Sequence, residues 1–101
     1  MKYFGFFKGM QYGKSNDDFE TYKKIENKLN KTEILNYIKS LPIAAIAPMS
    51  TYDIFTGQQL KQAGIFEDGD FTFPTDFVHY YENYDIGIPL EYEDYIKTKI
   101  S

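Results

Sequence analysis

The chain has 101 residues, 43% of them apolar and 26% charged, with a net charge of −4. That is the composition of a folded domain, not of a disordered or membrane-embedded chain. The absence of cysteine excludes disulfides, thiol nucleophiles and thiolate metal sites.

Apolar residues at 2–7 predict a first strand. The stretch that follows, GMQYGKS at 9–15, has the look of a phosphate-binding loop. Such a loop needs four residues between its glycines so that successive N–H groups wrap the phosphates. Only Met10, Gln11 and Tyr12 separate Gly9 from Gly13, and no parallel α/β pattern surrounds them. A glycine turn into a helix capped by Ser15, Asn16 or Asp17 accounts for the stretch better. Phe19, Tyr22, Ile25 and Leu29 then recur at helical spacing and predict a helix over 18–28, ended by Asn30. Thr32 is the expected cap of a second helix carrying Ile34, Leu35, Tyr37, Ile38 and Leu41, and Pro42 stops it.

The segment PIAAIAP predicts a short buried strand at 43–47, and TYDIF a second strand at 51–55 before a Thr56-Gly57 turn and a short returning strand. IFEDGDFTF reads as a hairpin turning at Asp68-Gly69. Pro74-Thr75 should cap a helix in which Phe77, Tyr80, Tyr81 and Tyr84 form one aromatic stripe. A last helix follows over EYEDYIKTKI. The expected fold is one α+β domain over 1–101. Its antiparallel sheet of four to five strands has two N-terminal helices before it and two short C-terminal helices after it.

Charge is unevenly spread. Residues 1–61 hold nine lysines against six acids, whereas residues 62–101 hold two lysines against nine acids. All eleven cations are lysine. Without arginine, the residue best suited to bidentate phosphate and base contacts, nucleic-acid binding is not expected. An acidic half suits a basic partner, or serves solubility alone.

Catalytic and metal readings find little local support. Counting a calcium loop from Asp68 puts Phe73 at the sixth position and His79 at the twelfth, where glycine and glutamate are needed. His79 is the only histidine and falls on the polar side of its helix, near Asp76, Glu82 and Asn83, where solvation is expected. No cofactor is expected. The C-terminal tyrosines suit either a core or a protein interface.

From Asp53 onward, DIFTGQQL and EDGDFTFPTDFVHYYENYDIGIP form a recognisable order. Asp53, Thr56-Gly57, Asp68-Gly69, Phe71 and Phe73 before Pro74, Asp76, Tyr80-Tyr81 and Ile88-Pro89 carry it. This pattern resembles short bacterial immunity proteins of contact-dependent or polymorphic toxin systems, which usually carry tryptophan where phenylalanine stands here. The resemblance covers about residues 53–89. It implies tight inhibition of a cognate toxin, and no motif in it is catalytic, so no enzymatic activity is expected; the absence of cysteine separately favours the cytoplasm.

Charge adds that the toxin would be a basic nuclease domain, gripped by an acidic, tyrosine-rich surface. The partner-binding candidates are Glu67, Asp68, Asp70, Asp76, Glu82, Asp85, Glu91, Glu93 and Asp94. The alternatives are a small carboxylate- or metal-dependent enzyme or ligand-binding domain, and an acidic mimic of nucleic acid.

Overall fold

The computed structural model describes residues 2–10, 12 and 17–100. Within them, strands β1 (Lys2–Tyr3), β2 (Ala45–Tyr52), β3 (Gln59–Asp68) and β4 (Phe71–Pro74) form one sheet in the order β1-β4-β3-β2. Helices α1 (Phe19–Lys23), α2 (Lys31–Lys39), α3 (Asp76–Asn83) and α4 (Leu90–Ile100) complete an α+β fold. The sheet is mixed rather than antiparallel, because β1 runs parallel to β4 while the other two pairings are antiparallel.

The first strand stops well short of residue 7. Gly5 takes a positive φ of 78° and turns the chain away from the sheet. Its N–H is held by Asp17 Oδ2 at 2.8 Å and the Tyr22 hydroxyl at 3.0 Å. A Cβ there would lie 2.7 Å from the Phe77 ring, so glycine is required on two counts. Phe4 and Phe7 consequently enter the core instead of extending the strand.

The predicted strands at 43–47 and 51–55 are one strand, β2, with irregular register between Ile46 and Ser50 and again between Ser50 and Tyr52. It continues through Pro48, which an edge strand tolerates because one side of its backbone has no partner. The segment expected to be buried is exposed over most of its length. At the next hairpin, Asp68 pairs with Phe71, so the turn centres on Gly69-Asp70, one residue later than expected. Gly69 has φ 61°, and no described non-glycine residue has a positive φ; this is the II′ pattern.

Helix α1 ends five residues early. Asp18 caps it by accepting from the Glu20 N–H at 3.0 Å, while Asp17 is taken up by Gly5 and Tyr22. The other expected caps, Ser15 and Asn16, lie outside the described residues, as do Gly13 and Lys14 of the glycine-lysine stretch. Beyond Lys23, distant groups capture the backbone. Asn27 exchanges hydrogen bonds with the backbone of Ile88 at 2.8 and 3.1 Å. Glu93 accepts from the Lys28 and Leu29 N–H groups at 2.7 and 2.8 Å. The Glu93 bonds take N–H groups that would otherwise have made the i to i−4 bonds of a continuing helix, and the Asn27 side chain anchors the segment to Ile88. Asn30 therefore does not end α1 but caps α2, accepting from Thr32 N–H at 2.8 Å. Thr75 precedes α3 without a side-chain capping bond.

The core is aromatic. Phe4 stacks on Phe73 at 4.7 Å and meets Phe77 edge-on at 5.3 Å. Phe7 packs edge-on against Tyr22 and Tyr80. Tyr80, Tyr92, Phe73 and Phe77 are fully buried, each contributing roughly 1.5–3 kcal/mol through area removed from water. Among the described residues, no helix is long and apolar enough to cross a membrane.

Candidate functional site

Asp53 follows β2 and begins the turn to β3. Its Oδ1 accepts the N–H groups of Phe55 at 2.7 Å and Thr56 at 3.1 Å, and Gly57 N–H returns to its carbonyl at 2.9 Å. Its Oδ2 accepts from His79 Nε2 at 2.7 Å and from the Tyr84 hydroxyl at 2.8 Å. Burial by itself would raise this carboxyl. The bonds from His79, Phe55, Tyr84 and Thr56 outweigh that and hold it at about 2. On the far side of the imidazole, Asn83 Nδ2 donates to His79 Nδ1 at 3.3 Å, which places the proton on Nε2, facing Asp53. His79 is thus not a solvated surface residue. Its side chain is only 22% exposed, and it locks α3 to the hairpin turn.

A second buried carboxylate lies beside it. Asp76, first residue of α3, accepts from the Tyr12 hydroxyl at 3.3 Å. Burial pushes its carboxyl up, against the opposing effects of Thr51, Tyr12 and His79. Asp53, Thr56-Gly57 and Asp76 all belong to the pattern that resembles immunity proteins. Here Asp53 ties the turn to α3 through His79, Thr56 and Gly57 bond within the turn itself, and Asp76 is buried against Tyr12.

Between β3, α3 and the end of α2 lies an open groove of about 800 Å³. Leu41, Ile43, Leu60 and Val78 supply apolar walls; Lys39, His79 and Glu82 supply polar ones. Lys39 and Glu82 bridge at 2.7 Å. Among the described residues, no three histidine or carboxylate side chains are grouped to hold a metal ion.

The nine candidate acids divide sharply. Asp68, Asp76 and Glu93 are buried, contrary to their expected place on an acidic surface. Asp68 Oδ2 accepts from the hydroxyls of Tyr37 at 2.7 Å and Tyr92 at 2.8 Å, tying β3 to α2 and α4. Glu93 is consumed in holding residues 28 and 29. A carboxylate taken from water must be satisfied internally, and each of the three is.

Glu67, Asp70, Glu82, Asp85, Glu91 and Asp94 are exposed. Of these, Glu91 pairs with Lys2, Glu82 with Lys39 and Asp94 with Lys97. Glu67, Asp70 and Asp85 make no ion pair among the described residues. The expected tyrosine-rich surface is reduced likewise, since Tyr80, Tyr81 and Tyr92 are core residues.

Two features escaped the sequence reading. The Asp53–His79 pair joins residues 26 apart, with no local signal. The other is a row of exposed apolar side chains, Ile43, Ile46, Met49, Tyr52 and Phe55, at 42–59% exposure. Its signal was present as a three-residue spacing, which is the period of neither a helix nor a regular strand. Comparisons with protein-family models, curated proteins and solved structures find no match to this chain.

Proposed function

We propose that the chain is a cytoplasmic immunity protein that binds and neutralises a basic toxin domain, most concretely a nuclease, and has no enzymatic activity of its own. The observation that carries this reading is the set of six exposed carboxylates on the C-terminal part, three of them without an ion-pair partner among the described residues. Unpaired surface carboxylates raise the local concentration of a basic partner and speed encounter. A nuclease groove is positive because it binds phosphates. The likeness over residues 53–89 supports the same class.

The test uses a purified toxin domain, found by asking whether the neighbouring gene encodes one. Binding should inhibit the toxin, and the association rate should fall steeply as salt rises. Reversing Glu67, Asp70 and Asp85 to lysine should slow association at least tenfold. Binding unaffected by both salt and reversal would dismiss the acidic surface, and no inhibition would dismiss the immunity reading.

A second reading is a small-ligand or carboxylate-dependent enzymatic site, favoured by the groove into which Asp53-oriented His79 opens. Thermal stabilisation by magnesium, manganese or a small-molecule panel, abolished in His79→Gln, would establish it. Its absence would remove it.

A further inference from the structure

The hairpin that forms the free edge of the sheet is almost without charge. From Leu41 to Leu60 the single residue charged at neutral pH is Asp53, and that carboxylate is 3% exposed and fully bonded within the chain. In a chain that is 26% charged, twenty residues would ordinarily carry about five charges. Depletion of charge together with exposed apolar side chains is the composition of an interface centre.

The exposed row on this hairpin has an internal symmetry. Ile43, Ile46, Met49, Tyr52 and Phe55 are exposed by 50, 59, 42, 44 and 53%. They are spaced evenly about Met49, so reversing the segment around that residue exchanges Ile46 with Tyr52 and Ile43 with Phe55. In a contact between two copies related by a two-fold axis through Met49, this spacing sets apolar side chains against apolar ones, so the patch can complement itself.

We infer that two copies of this chain associate through β2, antiparallel, about a two-fold axis at Met49. Ile46 of one copy lies against Tyr52 of the other, and Ile43 against Phe55. Because each copy carries a net charge of −4, most other faces would meet with like-charge repulsion. At β2 nothing charged opposes approach.

The area is adequate. Half-exposed side chains of this size leave on the order of 80–100 Å² each, or roughly 400–500 Å² per copy for the five. Exposed Ala44, Ala45 and Pro48 add to this, bringing the patch toward the ~800 Å² per partner of a standard interface.

Pro48 lacks an N–H, and the register of β2 is irregular on both sides of Ser50. Both features prevent an uninterrupted main-chain ladder between copies, so side chains carry the contact. The opposite edge of the sheet is β1, only two residues long and bearing exposed Lys2, so assembly closes at two copies.

Sedimentation velocity and light scattering on the full chain provide the test. Over a roughly hundredfold range of concentration, the mass should rise from 11.9 kDa to twice that value. High salt should leave the dimer intact, since no charge is engaged. Met49→Lys and Met49→Glu should each be monomeric at the highest concentration, with unchanged circular dichroism and the melting temperature of the dilute, monomeric wild type. Mixed in equal amounts, they should regain the doubled mass, because opposite charges then meet at the axis.

A wild-type protein that stays monomeric throughout would overturn the proposal. So would variants that dimerise like the wild type, or a mixture that remains monomeric. None of these outcomes depends on a toxin, so failure here leaves the immunity reading standing, and the reverse holds.

Discussion

His79 Nε2 lies 2.7 Å from Asp53 Oδ2, joining the middle of α3 to the turn that follows β2. The same carboxylate also receives Tyr84 and two backbone N–H groups. It is the hub of the turn, not an exposed acid awaiting a ligand.

Replacing Asp53 with alanine therefore strands a histidine N–H, a tyrosine hydroxyl and two backbone donors. Loss of one partner from a buried charged network costs about 3–5 kcal/mol. Urea unfolding of Asp53→Ala should show a drop of that size, and an effect below about 1 kcal/mol would mean that water replaces the carboxylate freely.

The same carboxylate predicts an acid-labile fold. In the folded chain its carboxyl is held at about 2, below the ordinary 3.8. The resulting stability is present in full above the ordinary value and is lost as the pH falls from about 4 toward 2. A depression of this size is worth roughly 2–3 kcal/mol. Glu93, lowered despite its burial by bonds from Leu29, Asn27 and Lys28, acts in the same direction. Asp76, raised by burial, opposes it. Urea midpoints at pH 5 and pH 2.5 should differ more for the wild type than for Asp53→Ala.

Asp68 offers a measurement of coupling. Both Tyr37 and Tyr92 donate to its Oδ2. Tyr37→Phe and Tyr92→Phe should each cost about 1–2 kcal/mol, since the carboxylate keeps one donor. The double variant should exceed the sum by 0.5 kcal/mol or more, at the low end of the range for networked residues of about 0.5–3 kcal/mol. Simple additivity would show that the two hydroxyls act independently.

Gly87 tests how closely the segment before α4 crosses the end of α1. A Cβ there would lie 2.7 Å from the Ile25 carbonyl oxygen and 2.7 Å from Asn27 Oδ1. The φ of Gly87 is not positive, so the obstacle is contact, not backbone strain. Gly87→Ala should destabilise by about 1–3 kcal/mol, as overpacking does. Gly57→Ala offers the contrast: nothing lies within 4 Å of its added methyl, and only its φ of 75° resists. That cost should be about 1–2 kcal/mol.

Local patterning was enough to declare the α+β class, a hairpin at Gly69 though one residue out of place, the aromatic helix α3 and the terminal helix α4. Each of these is written in residues three or four apart, or in a turn residue whose backbone preference is its own. The division of charge between the two parts of the chain was equally open to reading.

Only the tertiary structure decided which acids face water. Asp68, Asp76 and Glu93 look no different in sequence from Asp70, Glu82 and Asp94. Their burial depends on hydroxyls and backbone donors 24 to 65 residues away, Tyr12 among them in the case of Asp76. The parallel pairing of β1, the early end of α1 and the exposure of β2 have the same origin. Each was settled where a distant group offered a backbone donor or acceptor a partner, or failed to cover an apolar face, and such competition leaves no trace in local spacing.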